Sequence, residues 1–359
     1  MPVAEMRETR RRILQGVCSL CVCVYLGAVI GRSAARVAET EVEREPSWQD
    51  RAPMSVDYGE ETEQSLETET RPSPRFAYLV EAGATTTPPP ELVEKTGLED
   101  VFISVKTSGQ FHESRLKPLL DTWVPHVQQQ TWFFTDVDDA ELHQKTDGHV
   151  INTNCSSSHR RDALCCKMAV EYDTFMDSGK KWFCHFDDDN YVNTARLAEL
   201  LSGYSPQEDW YLGKNSIRTP LQIMDRAHNG DRVSFWFGTG GAGFCISRAL
   251  ALKMSPFASG GRFMRVGDKI RLPDDVTMGY IIEHLLKTRL TVIDEFHSHL
   301  EQMKFIRPTE LDKQISFSYS QYADEMNVVD LDILSEEKDP TRFYSLHCLL
   351  HPKKAFCPR

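Results

Sequence analysis

The sequence predicts an α/β protein built on a mostly parallel, doubly wound sheet. From residue 101 onwards, short apolar runs alternate with segments of helical periodicity in the order β-α-β-β-α-β. The aromatic-rich run Lys181–Phe186 then breaks abruptly into three carboxylates and an amide, Asp187–Asn190. Open α/β sheets bind ligands beyond the carboxyl ends of their strands, so this break predicts a site at the sheet edge.

Before the triplet, strands are predicted at 98–106, 131–135, 149–151 and 181–186, and helices at 114–124 and 164–176. The first of these helices has one apolar face with the i, i+3, i+4, i+7 spacing of an amphipathic helix: Leu116, Leu119, Leu120 and Trp123. After the triplet we expect helices at 194–201 and 276–286 and strands at 210–214 and 290–296. Another apolar strand is expected after the glycines of 238–243, and no internal repeat is present.

The N-terminal region is predicted to comprise a tail at 1–12, a membrane span at 13–30 and a stem at 31–100. Residues 13–30 form an 18-residue apolar run that follows four arginines. This pattern favours a signal anchor with a cytoplasmic N-terminus, giving a single-pass type II membrane protein. A cleaved signal peptide is the alternative, with Ala34, Ala35 and Ala38 near the cut.

The predicted stem carries most of the charge of the chain. Residues 37–100 contain 16 acidic and 5 basic residues, a net charge of −11, whereas the whole chain has −12. An acidic, Pro/Thr-rich segment without apolar periodicity cannot bury enough surface to fold, so disorder is expected there. The near-neutral remainder has no basic patch, which argues against a nucleic-acid surface.

Seven cysteines follow the apolar run, which itself contains three (Cys18, Cys21 and Cys23). No pair has zinc-finger spacing, which favours disulfides in an oxidising compartment over a zinc site. Because seven is odd, at least one thiol remains unpaired. Asn154 begins a glycosylation sequon, Asn-Cys-Ser, which agrees with a luminal folded region at 101–359.

The acidic triplet carries the first functional hypothesis. Adjacent carboxylates repel one another unless a cation neutralises them, and they are hard ligands suited to Mg²⁺ or Mn²⁺. Such an ion completes its shell with phosphate oxygens, which predicts a metal-dependent enzyme acting on a phosphorylated donor. An acidic surface turn is the alternative.

Asp274 and Asp275 precede the last predicted helix. Aspartate is a favoured N-cap, which explains one of the two well. The other could face a cleft and act as general base.

Three further features have a structural and a functional interpretation. His297 and His299 alternate across a strand end, so at most one is expected to reach a shared site. The glycines of 238–243 are not followed by the Gly-Lys-Ser/Thr of a P-loop, and they mark either a close backbone approach to a ligand or a flexible turn. Arg115 could hold a diphosphate or stay an exposed helix residue.

Seven segments, in this order, resemble the Fringe family, Golgi β-1,3-N-acetylglucosaminyltransferases that modify O-linked fucose on EGF-like repeats of Notch. The segments are VFISVKTS, SRLKPLLDTW, FFTD, WFCHFDDDNYV, FGTGGAGFCIS, LPDDVTMGYI and DEFHSHLE. The resemblance covers about 101–359. It implies a GT-A type fold, a Golgi location with the catalytic domain in the lumen, and a soluble form if the anchor is cleaved.

The resemblance also implies residue roles. Asp189 and His299 would bind Mn²⁺ at the diphosphate of UDP-N-acetylglucosamine, Asp188 would contact the sugar nucleotide, and Arg115 would contact its nucleotide. Asp275 would be the catalytic base of an inverting O-fucosylpeptide 3-β-N-acetylglucosaminyltransferase. The alternative from another class is a luminal module that binds glycans or EGF-like repeats without catalysis.

The implied disulfides are Cys155–Cys166, Cys184–Cys245 and Cys348–Cys357. Cys165 departs from the family pattern and could compete with Cys166 for Cys155. The C-terminal HPKKAFCPR departs as well. The C-terminal departure leaves the implied catalytic residues untouched.

Overall fold

A seven-stranded sheet forms the centre of the folded region. The structure is a computed structural model that describes residues 96–225, 230–323 and 325–359. The strands are β1 Val101–Lys106, β2 Thr131–Thr135, β3 Val150–Asn152, β4 Trp182–Asp187, β5 Tyr191–Val192, β6 Tyr211–Gly213, β7 Leu221–Asp225, β8 Asp231–Phe235, β9 Phe244–Ser247, β10 Leu290–Val292, β11 Ser316–Phe317, β12 Ser320–Tyr322 and β13 Glu325–Asn327.

The strand order in the main sheet is β10-β6-β9-β4-β1-β2-β3. Strands β4, β1, β2 and β3 run parallel, as do β10 and β6. Within this sheet, β9 runs antiparallel to its neighbours β4 and β6. The predicted α/β class with a mostly parallel sheet is therefore confirmed. Three antiparallel pairs lie outside this sheet: β5 with β11, β7 with β8, and β12 with β13.

Helices cover both faces of the sheet. They are α1 Lys117–Asp121, α2 Ala140–Lys145, α3 Arg161–Ser178, α4 Thr194–Leu201, α5 Arg248–Ala258, α6 Arg262–Ile270, α7 Asp274–Gly279 and α8 Phe343–Leu350. Two π-helical turns, His112–Leu116 and Tyr280–Leu285, precede α1 and follow α7. Short 3-10 turns span Leu98–Asp100, Gly109–Phe111, Val124–His126, Gln128–Gln130, Gly240–Ala242, Met303–Phe305 and Pro308–Lys313.

The side chains of β1 show why the sheet needs two helical layers. Val101, Ile103 and Val105 pack into one apolar core with α1, α2, α4 and α8. Phe102 points to the opposite face and packs with α3, α5, α6 and α7. Successive strand residues face opposite sides, so a strand that is apolar at nearly every position is stable only when both faces are covered.

Two predicted helices differ from the observed ones. The predicted helix 114–124 is divided into a π-turn, α1 and a 3-10 turn that contains Pro125, since proline cannot donate the hydrogen bond that would continue α1. The helix predicted at 276–286 starts at Asp274. Its N-cap is Pro273, so the expectation that an aspartate caps this helix is wrong.

The predicted segments 1–12 and 13–30, and the stem up to residue 95, lie outside the described residues. The end of the predicted stem is described: Leu98–Asp100 form a 3-10 turn, and the Asp100 carbonyl accepts from Lys181 N–H at 2.8 Å. We expected a single-pass type II protein of the Golgi membrane. That expectation is wrong for the part of the chain that the structure describes, where no helix is long and apolar enough to cross a membrane.

Three disulfides lie in the folded region: Cys155–Cys166, Cys184–Cys245 and Cys348–Cys357. These are the pairs that the resemblance implies. The Cys184–Cys245 bridge joins β4 to β9 across the sheet. Cys165 is free and buried, and burial raises the pKa of its thiol to about 12. Asn154 is exposed, and its glycosylation stays a prediction.

Candidate active site

The candidate site lies where β1 and β4 end side by side. Lys106 and Asp187 are register partners in this parallel pair, so the acidic triplet emerges next to the end of β1. An open groove of about 560 Å³ begins here. Its lining residues include Lys106, Arg115, Asp187, Asp188, Asp189, His299 and Tyr319.

Asp188 is held on both carboxylate oxygens. Arg115 Nη1 donates to Oδ1 at 2.8 Å, and Thr107 Oγ1 donates to Oδ2 at 2.8 Å. Burial raises the pKa of Asp188 in spite of the neighbouring Arg115 guanidinium. The Arg115 guanidinium lies 3.9 Å from the centroid of the Phe111 ring, so it is anchored at the groove rather than exposed as a free helix residue.

Asp189 and His299 face each other from different parts of the chain. Asp189 Oδ2 lies 3.8 Å from His299 Nδ1. Burial, together with Asp187 and Asp188, raises the pKa of Asp189 to about 8. Burial lowers the pKa of His299. The negative charge of Asp189 is therefore not fully balanced by neighbouring cations, and the His299 imidazole is neutral and able to act as a ligand.

His297, the other histidine of the pair, points away from this site. Its Nε2 lies 2.9 Å from Gln314 Oε1, and its Nδ1 lies 3.3 Å from Glu301 Oε2. The alternation of the two rings agrees with the expectation that one histidine at most reaches the site.

The glycine segment Gly240–Gly241 lies between His299 and Asp275. A Cβ atom at Gly241 would lie 3.0 Å from His299 Cε1, and one at Gly240 would lie 3.6 Å from Asp275 Cβ. Asn190 Nδ2 donates to the Gly241 carbonyl at 2.8 Å, which ties the segment to the acidic turn. Close approach of backbone to functional side chains explains the glycines better than a flexible turn does.

Asp275 lies beyond this segment, and it is not among the residues that line the groove. Its Oδ2 accepts from Gly240 N–H at 3.3 Å, and its Oδ1 accepts from Val276 N–H at 2.7 Å. Burial and the neighbouring Asp274 carboxylate raise the pKa of Asp275 to about 6. A carboxylate with a pKa near the working pH is suited to accept a proton.

A buried polar network that the sequence analysis did not single out leads to Asp187, the first residue of the acidic triplet. Ser104 Oγ donates to Glu171 Oε2 at 2.7 Å, and the same oxygen lies 2.6 Å from His185 Nδ1. His185 Nε2 lies 3.5 Å from Asp187 Oδ1. In the sequence, Ser104 and His185 stand out as polar residues inside apolar strands, which is a weak signal for this network. Nothing in the sequence around Glu171 distinguishes it from an ordinary helix residue.

Asp189 and His299 together fit a divalent cation. Asp189 Oδ1 and His299 Nδ1 are both buried without a hydrogen-bond partner, so each has lone pairs available for an ion. Within residues 96–225, 230–323 and 325–359, no three His, Cys, Asp or Glu side chains are assembled as a complete metal site. A cation held by two protein ligands needs further oxygens, which water or a bound phosphate group can supply.

The chain is similar to known proteins along most of the described region. A Fringe-like family model matches residues 96–354. The Fringe glycosyltransferase of Drosophila melanogaster is 56% identical over 283 residues, 78% of this chain and 68% of that protein. The β-1,3-N-acetylglucosaminyltransferase lunatic fringe of Danio rerio is 53% identical over 279 residues, 77% of this chain and 74% of its own. The β-1,3-N-acetylglucosaminyltransferase radical fringe of Gallus gallus is 50% identical over 269 residues, covering 74% and 72%.

Solved structures overlap the chain less well. A mannose-1-phosphate geranyltransferase of Thermus thermophilus covers 54% of this chain and 73% of its own at 12% identity, with a TM-score of 0.30. The glycosyltransferase GlyE of Streptococcus pneumoniae covers 54% and 45% at 11% identity, with a TM-score of 0.32. These scores are too low for either structure to support an argument about the site.

Proposed function

The chain belongs to the Fringe-like family of glycosyltransferases, and from this premise we propose that it is an inverting β-1,3-N-acetylglucosaminyltransferase with residues 101–359 as its catalytic domain. The donor is UDP-N-acetylglucosamine, and the acceptor is the 3-hydroxyl of O-linked fucose on EGF-like repeats of receptors such as Notch. The mostly parallel sheet with an acidic triplet at a strand end agrees with the GT-A type of fold.

One observation carries this proposal. His299 lies against Gly241 and faces Asp189, and each of these two residues has a ligand atom without a hydrogen-bond partner, whereas the Asp275 carboxylate lies against Gly240. A diphosphate held at Asp189 and His299 leaves its sugar facing Asp275. Asp189 and His299 are thus assigned to donor binding and Asp275 to proton acceptance, with the glycines Gly240–Gly241 between them.

Arg115 and Asp188 bind the donor in this proposal. Arg115 contributes a guanidinium that faces the nucleotide, because a guanidinium pairs well with phosphate oxygens. Asp188 is immobilised by Arg115 and Thr107, so its carboxylate presents a fixed acceptor to the sugar nucleotide. Pre-organised groups lose little conformational entropy when the donor binds.

Asp275 acts as the general base. Its carboxylate accepts the proton of the fucose 3-hydroxyl while that oxygen forms a bond to C1 of the donor sugar. The bond between C1 and the UDP oxygen breaks on the opposite face, which inverts the anomeric centre. Burial raises the pKa of Asp275 to about 6, which makes the carboxylate a stronger base than an exposed aspartate.

Asp189 and His299 would hold Mn²⁺, since an imidazole beside a carboxylate suits a transition metal better than Mg²⁺. When bound, the ion stabilises negative charge that develops on the departing diphosphate. The chain itself contributes two groups. Asp189 is a buried carboxylate whose negative charge calls for a cation, and His299 is a neutral imidazole that faces it.

The alternative of a non-catalytic luminal module is disfavoured. The relatives are named as glycosyltransferases, and this chain keeps the candidate base and both candidate metal ligands within a groove or beside it. The raised pKa of Asp275 beside Gly240 fits a role in proton acceptance.

The proposal is tested with the purified full-length chain in Mn²⁺ with UDP-N-acetylglucosamine. Release of UDP and the mass of the product are followed with an O-fucosylated EGF-like repeat and with the same repeat lacking fucose. One added N-acetylhexosamine that depends on both fucose and Mn²⁺ supports the proposal. Binding of the repeat without transfer from any sugar nucleotide would favour the binding module instead.

Gly241→Ala should weaken donor binding in Mn²⁺ by about 10-fold, comparable to the loss of a group that orients a metal ligand. The added Cβ would lie 3.0 Å from His299 Cε1 and 3.2 Å from its Nδ1, so the ring must move. Gly240→Ala is the matched control, because its Cβ meets Asp275 at an ordinary 3.6 Å and leaves His299 in place. Calorimetric titration with UDP measures both variants, and equal affinities would refute the placement of His299.

A further inference from the structure

Lys106 is a buried cation with two carboxylate partners from different elements. Its Nζ donates to Asp274 Oδ2 at 2.6 Å and lies 3.2 Å from Asp187 Oδ1. The side chain of Lys106 is 11% exposed and that of Asp274 is 5% exposed. The ammonium therefore joins the end of β4 to the start of α7.

The charge balance explains why a cation is needed there. Five carboxylates, Asp187–Asp189 and Asp274–Asp275, converge on the site. Among the residues that line the groove, Lys106 and Arg115 are the cations in ion pairs with them. Burial lowers the pKa of Lys106, but Asp187 and Asp274 outweigh it and raise the pKa well above its ordinary value, so the ammonium stays charged. Losing one partner of such a buried pair leaves the other carboxylate uncompensated.

The same contact determines where the base stands. Asp274 is the first residue of α7, and Asp275 is the next. The hydrogen bonds given for Asp275 come from backbone groups, Gly240 N–H and Val276 N–H, and not from a side chain. The salt bridge of Asp274 to Lys106 ties the first residue of α7 to the ends of β1 and β4.

We propose that Lys106 is a positioning residue for the transfer reaction: by binding Asp274 and Asp187 together, it holds Asp275 at a fixed position relative to the donor-binding carboxylates. The inference rests on the proposed function, because that function assigns the base to Asp275. Lys106 acts on the chemical step through α7. Asp188, Asp189 and Arg115 keep their own contacts without Lys106, so donor affinity should change much less than kcat.

The test compares kcat, KM for the donor and the calorimetric Kd for UDP in Lys106→Met, whose unbranched side chain is one atom shorter and uncharged. We expect kcat to fall about 100-fold, the size of effect that a displacement of about 1 Å at a reacting group produces, with the Kd for UDP within about 3-fold. Lys181→Met is the control: Lys181 pairs with Asp100 at 3.2 Å at the opposite end of β4, so kcat should be unchanged. A fall of 10-fold or more in UDP affinity would overturn the proposal, since it would place Lys106 on the donor itself.

Asp274→Asn tests the same bridge from its other end and keeps the shape of the side chain. It should lower kcat as Lys106→Met does, and the double variant should lose no more than about 3-fold beyond either single variant, because both changes remove one interaction. If Lys106→Met does not fold, Asp274→Asn decides alone: reduced kcat with retained UDP binding supports the proposal, and normal kcat overturns it.

Asp275→Asn separates the failure of this inference from the failure of the proposed function. If Asp275→Asn turns over normally, the assignment of the base fails, and the inference fails with it. If Asp275→Asn is inactive while Lys106→Met and Asp274→Asn are both normal, only the inference is overturned.

Discussion

Asp275→Asn should lower kcat for transfer by about 10³-fold while UDP still binds. The amide keeps the shape of the carboxylate and can still accept from Gly240 N–H, but it cannot take up the proton of the acceptor hydroxyl. Donor binding is assigned to Arg115, Asp188, Asp189 and His299, so it should survive the change. Single-turnover transfer and calorimetric binding of UDP measure the two properties separately.

The pH dependence of the unmodified enzyme tests the same assignment. Because burial raises the pKa of Asp275 to about 6, the base is protonated below that pH. At saturating donor and Mn²⁺, where Asp189 is bound to the ion, kcat should fall about 10-fold per pH unit there. A base with the ordinary aspartate pKa of 3.8 would lose activity only near that much lower pH. Asp268→Asn is the control variant. Asp268 lies in α6, is exposed and pairs with Arg161 of α3, so its substitution should leave both kcat and the pH profile unchanged. Near-normal turnover by Asp275→Asn would reject the base.

Asp189→Asn should weaken Mn²⁺-dependent UDP binding by about 100-fold or more, since even groups that only orient a metal ligand contribute 10- to 100-fold. The neutral amide no longer offers a charged oxygen to the ion and relieves the repulsion from Asp187 and Asp188. Calorimetric titration with UDP in Mn²⁺ measures the effect.

Two controls accompany the Asp189 experiment. Unmodified enzyme in a chelator should bind UDP as weakly as Asp189→Asn does in Mn²⁺, because both lack the ion. His299→Ala should share the loss, because His299 Nδ1 faces Asp189 Oδ2 at 3.8 Å. Unchanged UDP binding by Asp189→Asn in Mn²⁺ would show that the ion, if present, is held elsewhere.

Strong periodicity made much of the first half of the fold predictable. The strands at 131–135 and 181–186 and the helices at 164–176 and 194–201 are all present, with boundaries shifted by three residues at most. These segments are apolar runs or amphipathic repeats whose burial the local pattern already demands. The helix at 114–124 was predicted as continuous and is divided, because the pattern of Leu116, Leu119 and Trp123 does not register the effect of Pro125.

The region after residue 300 was not predictable in the same way. Its strands β11, β12 and β13 are two or three residues long. β11 pairs with β5, which is distant in sequence, whereas β12 and β13 pair with each other as close neighbours in the chain. Such short strands have too few residues to show alternation. Among the helices, α8 in this region and α5 and α6 before it are also absent from the sequence prediction. For α5 a local signal existed, because the hydroxyl of its N-cap Ser247 accepts from Leu250 N–H.

Residue types and local order alone pointed to the α/β class, the acidic triplet at a strand end and the candidate pair at 274–275. Neighbouring residues are enough to predict these features. For example, a strand that ends in carboxylates must end at solvent or at a ligand, because unpaired carboxylates are costly to bury. Only the tertiary structure placed His299 against Asp189, set Gly240–Gly241 between His299 and Asp275, and showed Lys106 bound to both Asp187 and Asp274. Those contacts join residues that are distant in the sequence and lie on different strands, helices and loops. They therefore depend on how the elements pack and not on any sequence pattern within an element.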